Sequence, residues 1–437
     1  MSRRPGRGPD TSSRRGGLIH RVAVDVQPLR VSRDFRLIWS GMLVSELGYQ
    51  FTLVATFFQV KELTGSTAAV GLIGLVGLVA LVGGTLAGSS IVDRYDRRIL
   101  LILSQIGYML GSGILFVGAL HGRPPLWLVY GGIAMIAAVS AVDGPTRSAM
   151  IPRLVGRDLL PAALALGQVV WNGTALLGPA LAGIVIGASE RYGFSIAYGI
   201  DLATYGAILA AAFLIRPMPP ERDTAALGGA AAVKEGFAYL RGRRVLQSTF
   251  LIDLIAMIFG MPRALFPFLA ASQFQAGSQA AVSRIAGFLF AAPAVGAMVA
   301  SAASGWVGRV RHQGRAVLMS VALWGLGIAA FGLMGDRLLA ALAALAFAGG
   351  ADVISAVFRN TILQLSVPDS LRGRMSAIHI LVVTGGPRLG DLEAGLVAQA
   401  FTPMASVVSG GLLCLAGTGV LALLVPAFRR YRAGEAA

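Results

Sequence analysis

Glu46 interrupts a long apolar run, with Tyr49 nearby and Gln50 one helical turn later on the same face. An ionised carboxylate within lipid costs at least about 2.5 kcal/mol, so a glutamate there pairs, faces a watery path or takes up a proton. Asp253 holds a comparable place in a later apolar run, closer to that run's start. Proton exchange and structural pairing are equally good readings of both acids. Asp201, Asp352, Asp391 and Glu393 are further acids in apolar surroundings, and Arg263 and Arg388 are the bases. Arg388 precedes Asp391 by three positions, close enough on a helix for an ion pair. Arg263 lies between Pro262 and Pro267, where broken helical backbone can line a cavity or form a gate. A cation there can hold an anion or extend toward the interface. Tyr49, Gln50, Asp201 and Arg263 are the candidates for lining a ligand pathway.

Other chemistry is absent from the pattern. There is no phosphate-cradling Gly-x-x-x-x-Gly-Lys-Ser/Thr loop, no His-Glu-x-x-His and no cysteine pair, since Cys414 is the single cysteine. Neither a metal nor a cofactor is expected, and spacing assembles no nucleophile, base and orienting group of an enzyme. Tyr49, Phe57, Phe58, Trp171, Phe259, Phe266 and Phe268 could line an aromatic pocket, although packed core or lipid contact is the commoner use of such residues. His379 reads as a polar contact near a helix start.

These residues need long apolar elements to position them. Of 437 residues, 55% are apolar and 13% charged, and the mean hydropathy is +0.72, which makes lipid the expected solvent. Apolar runs recur at about the 20 residues a helix needs to cross a bilayer, rather than as the short alternating segments of a membrane barrel. The runs predict an all-α integral membrane protein of twelve transmembrane helices in two bundles of six. The helices fall at about 37–60, 68–92, 99–120, 126–146, 160–187 and 196–215, then 247–271, 285–307, 317–334, 338–358, 376–400 and 406–427. The organisation is a basic tail over 1–36, a first half over 37–215, a linker over 216–246, a second half over 247–427 and a tail over 428–437.

The net charge of +16 raises the possibility of nucleic-acid binding, and the placement of the basic residues decides against it. With the amino-terminal segment inside, 30 of the 37 Lys and Arg fall on the inner side. Lys61, Arg123, Arg191, Arg284 and Arg337 fall outside, and Arg263 and Arg388 fall within helices. That bias is the positive-inside rule and puts both termini in the cytoplasm. The linker opens with Arg216-Pro217-Met218-Pro219-Pro220, which ends a helix. Val233, Phe237 and Leu240 then share a face suited to a short helix lying on the membrane.

The halves share a faint repeat. Arg147, Val155, Asp158 and Leu159 have the spacing of Arg359, Val367, Ser370 and Leu371, and Gly178-Pro179 matches Gly386-Pro387. Gly178 and Pro179, like Pro262 and Pro267, are expected helix bends. Two related halves can rock about a pathway between them.

Gly88, Asp93, Arg94, Arg97 and Arg98 in the segment Gly88-Ser89-Ser90-Ile91-Val92-Asp93-Arg94-Tyr95-Asp96-Arg97-Arg98 resemble the signature loop of the major facilitator superfamily. The segments Asp143-Gly144-Pro145-Thr146-Arg147, Ala264-Leu265-Phe266-Pro267 and Gln364-Leu365-Ser366-Val367-Pro368-Asp369 narrow the resemblance to its enterobactin-exporter branch, over roughly residues 33–430. The resemblance implies a monomeric inner-membrane exporter of a siderophore-like or drug-like small molecule, driven by protons, with the Asp93 loop as a conformational latch. Ser89 departs from the usual glycine, and Arg147 lies at the inner end of its helix rather than at mid-membrane. Uptake by the same fold, and a non-transporting receptor or scaffold, are the alternative readings.

Overall fold

The computed structural model describes residues 25–92, 95–219, 229–274, 277–368 and 371–432, with the side chains of 89–92, 229–233, 372–374 and 376–377 left aside. Among these residues every regular element is helical. The first half of the chain contributes α1 (Gln27–Val31), α2 (Arg33–Thr64), α3 (Thr67–Val92), α4 (Arg97–Leu120), α5 (Leu126–Gly187) and α6 (Gly193–Leu214). The linker supplies α7 (Gly229–Leu240). The second half contributes α8 (Arg244–Phe259), a 3-10 turn at Arg263–Leu265, α9 (Phe266–Ser272), α10 (Gln279–Ala302), α11 (Gln313–Leu333), α12 (Leu338–Ser366), α13 (Arg372–Ala400), α14 (Pro403–Leu424) and α15 (Pro426–Arg430).

Local chemistry sets the helix ends. Ser32, Asp96, Ser278 and Thr402 accept hydrogen bonds from the first-turn amides of α2, α4, α10 and α14. Gly65 closes α2 in the left-handed region at φ 64°. Among the described residues nine helical segments are long and apolar enough to cross a membrane, which makes this a multi-pass membrane protein.

The residues that read as a loop after Thr146 are helical instead. α5 runs for 62 residues and leaves helical geometry only at Gly156, at φ 74° and ψ 174°. A side chain is strained at that φ, so glycine permits the break. Gly178 and Pro179 lie within the continuous helix beyond it. Pro262 and Pro267 do sit at an interruption, because α8 stops at Phe259 and the chain resumes through the 3-10 turn.

α2, α4, α5 and α6 pack on one another in the first half, as α10, α11, α12 and α14 do in the second. Among the described residues the most extensive packing between the halves is that of α3 with α13 and of α5 with α10. Both joints rely on absent side chains. A Cβ on Gly71 would stand 2.6 Å from the Asp391 carbonyl oxygen, and one on Gly287 would stand 2.6 Å from that of Pro179. Side chains tie the same end of the bundle, where Lys61 Nζ donates to the Pro267 carbonyl at 2.8 Å and Thr67 Oγ1 to that of Gly395 at 2.9 Å. Phe57 stacks at 5.8 Å on Phe290, which also meets Phe266, so these aromatics form packed core across the joint. Trp171 instead lies on the surface.

At the opposite end, α15 meets the start of α11, and Arg98 donates to the carbonyls of Ala212 and Phe213 at the end of α6. The linker helix inserts Leu240 among Leu246, Phe250, Met375 and Ile378, while Phe237 stays exposed.

Candidate functional site

Buried arginines organise the interior. In the first half Arg147 Nε lies 2.6 Å from Asp143 Oδ2, one turn back on α5, and both side chains are nearly inaccessible. Gln105 of α4 donates to the other Asp143 oxygen at 3.1 Å. Glu46 of α2 is the electrostatic neighbour of both members of this pair. Among the described residues it forms neither a hydrogen bond nor an ion pair. It is therefore the acid of this cluster whose charge has no dedicated partner.

The second half repeats the arginine with different company. Arg359 of α12 pairs with Asp253 of α8 at 2.9 Å, approaches Asp352 at 3.6 Å and donates to Ser355 at 2.8 Å. Ser355 stands one turn before Arg359, where Asp143 stands before Arg147. Since serine supplies no charge, the carboxylate comes from the neighbouring helix. The counterparts Glu46 and Asp253 thus both face a buried arginine, one unpaired and one bonded to it.

A third group lies between the halves. Arg263 Nη2 reaches Asp391 Oδ2, 128 positions further along the chain, at 2.7 Å. This corrects the expectation that Asp391 pairs with Arg388 on its own helix. The break after Phe259 turns Arg263 toward α13, while Arg388 extends the other way, onto α3. A Cβ on Gly77 would stand 3.2 Å from Arg388 Nε, so the missing side chain makes room for the guanidinium. Arg388 has no hydrogen-bonded or ion-paired partner among the described residues, and its Nη1 is buried. Tyr49 has Glu46 on its own side and Arg263 and Arg388 across the joint as electrostatic neighbours.

The remaining candidates divide by location. Asp201 is fully enclosed by the first half and accepts from Thr52 and Ser112 at 2.6 Å each. Gln50 packs against Gly178, whose missing side chain lets α5 close on α2. Gly88 gives the same room to Val142. Arg97 begins α4, and its amide donates to the Met218 carbonyl at 3.1 Å. Asp93 and Arg94 lie outside the described residues, so the heart of the expected latch does too. No group of three or more metal-binding side chains occurs among the described residues. A crevice of about 370 Å³ beside Arg315, Met319 and Arg429 opens at the surface, away from these groups.

Spacing marks most of these residues singly but misses the Arg147 and Arg359 clusters, because both arginines read as lying at the inner ends of their helices. The signal was present: each has a polar residue four positions before it, at matching places in the repeat.

The chain matches the family of transmembrane secretion effectors over residues 24–434. It is 28% identical over 419 residues to the enterobactin exporter of Citrobacter koseri, covering 92% of this chain and 94% of that protein. It is also 28% identical to the enterobactin exporter of Salmonella paratyphi A, with 92% and 95% covered. Among solved structures it superimposes on a POT family transporter in complex with 5-aminolevulinic acid with a TM-score of 0.69 at 12% identity, covering 91% and 97% of the two chains. The nucleoside transporter NupG gives 0.69 at 13% identity, with 91% and 98% covered. At such identities these two likenesses establish the fold alone. A family match over nearly the whole length, on a helical membrane fold with charged groups held between its halves, makes this chain a member of the transmembrane secretion effector family of major facilitator transporters.

Proposed function

We propose that this transporter is a proton-coupled exporter of a siderophore-like or drug-like small molecule, working by alternating access in the inner membrane with both termini cytoplasmic. Twelve crossings in two bundles suit the structure if α5 counts twice, on either side of Gly156, and α2 and α13 are added to the other apolar helices. At 1.5 Å per residue, α2 and α13 are each more than 40 Å long, enough to span a bilayer. They fall short on apolarity where they carry charged groups of the site, Glu46 on α2 and Arg388, Asp391 and Glu393 on α13.

The observation that carries the reading is the unpaired Glu46 beside the Arg147–Asp143 pair. A carboxylate with no fixed counter-ion can exchange a proton as its surroundings open to one side and then the other. Asp253, held by Arg359, is proposed as its structural counterpart, and Asp201 as a clamp within the first half. The ties at the Lys61 and Thr67 end favour a state closed to the outside, with the Asp93 loop acting as a latch in the alternative state.

Export by the named relatives favours efflux over uptake. The test uses everted membrane vesicles carrying the full chain, with labelled enterobactin as probe. Gradient-driven accumulation that collapses when the proton gradient is dissipated supports the proposal. Accumulation indifferent to the gradient removes proton coupling, and none beyond vesicles lacking the chain removes enterobactin-like export.

A further inference from the structure

We infer that Arg388 is the recognition point for an acidic group on the transported molecule, which makes the cargo an organic acid with a flat anionic group. The inference rests on the export reading and names the substrate class at that same site. Three observations carry it. Asp391, the natural intrahelical counter-ion, is already bonded to Arg263 at 2.7 Å. Arg388 is left without a hydrogen-bonded or ion-paired partner among the described residues, with Nη1 buried. The guanidinium nevertheless crosses the joint between the halves and rests against the bare backbone of Gly77.

A guanidinium nitrogen enclosed without a bonded partner is costly, and a planar fork of donors suits a carboxylate or another flat anion. An acid bound here touches α13 through Arg388 beside Gly77 of α3, so it sits at the joint between the two halves that must move. Arg263 is the less suitable cation, because Asp391 already neutralises it.

The test is equilibrium dialysis of the purified full-length protein at pH 7 with labelled salicylate and with salicylamide, its uncharged analogue of nearly the same shape. The wild type is expected to bind the carboxylate about tenfold more tightly than the amide. Arg388→Gln should bind both alike, and Arg388→Lys should keep part of the difference. The double variant Arg263→Gln with Asp391→Asn, which removes the neighbouring pair as a unit, should keep the preference. If Arg388→Gln fails to fold, Gly77→Ala, which crowds the guanidinium, should still narrow the difference. Because dialysis requires no turnover, its result stands apart from the vesicle assay. Equal binding of both probes by the wild type, or a preference that survives Arg388→Gln or, where that variant does not fold, Gly77→Ala, overturns the assignment even if export is gradient-driven.

Discussion

Arg147 and Arg359 stand 212 residues apart at matched places in the two halves, and each is buried beside an acid from the first long helix of its half. Their partners differ, most plainly one turn before the arginine. In the first half the residue a turn before the arginine is Asp143, which takes the guanidinium at 2.6 Å and leaves Glu46 free. In the second it is Ser355, which donates no charge, so Arg359 draws in Asp253 at 2.9 Å with Asp352 close by. A carboxylate supplied locally thus accompanies an unbonded Glu46, and a local serine accompanies a bonded Asp253.

The comparison can be broken hardest at Arg359. Arg359→Met leaves Asp253 and Asp352 as buried acids without their cation and should destabilise the protein by about 3–5 kcal/mol, read as a lower melting temperature of the purified chain. Adding Asp253→Asn should recover part of the loss. Arg147→Met should cost less, about 2–3 kcal/mol in the same assay, because Gln105 still donates to Asp143. Equal losses at the two sites would erase the proposed asymmetry.

Asp143→Ser sharpens the comparison by giving the first half the second half's pattern. Arg147 then needs Glu46 as its counter-ion, and an acid held by a guanidinium gives up its role in proton exchange. Stability should fall by only about 1–2 kcal/mol, while gradient-driven accumulation in vesicles drops at least about tenfold. Glu46→Gln should have the smallest effect on melting, within about 1 kcal/mol, since no fixed bond is lost.

Much of this architecture was legible in the residues. The signature segment at Gly88 to Arg98 and the apolar runs pointed to the family and to its membrane-spanning helices. The expected loop over 147–159 was misread because Pro152, Gly156 and Asp158 are all loop-like by type, yet only Gly156 leaves helical geometry. Hydropathy also undervalues α2 and α13, where Asp391 is buried and Glu46 and Arg388 are partly buried. Local spacing made Arg388 and Asp391 partners, but the actual bond to Arg263 depends on a backbone break and on long-range packing. Sequence distance carries no sign of such a contact. Glu46 and Asp253 stand out in the sequence as acids in apolar runs, whereas their unequal pairing depends on Asp143 and Ser355, one turn from arginines read at the inner ends of their helices.

The most direct test measures labelled enterobactin accumulation in everted vesicles, with and without a proton gradient, for the wild type, Glu46→Gln and Asp253→Asn, each normalised to folded protein. The account predicts gradient-driven accumulation by the wild type and Asp253→Asn, and its loss in Glu46→Gln. Gradient-driven accumulation by Glu46→Gln at the wild-type rate would contradict it.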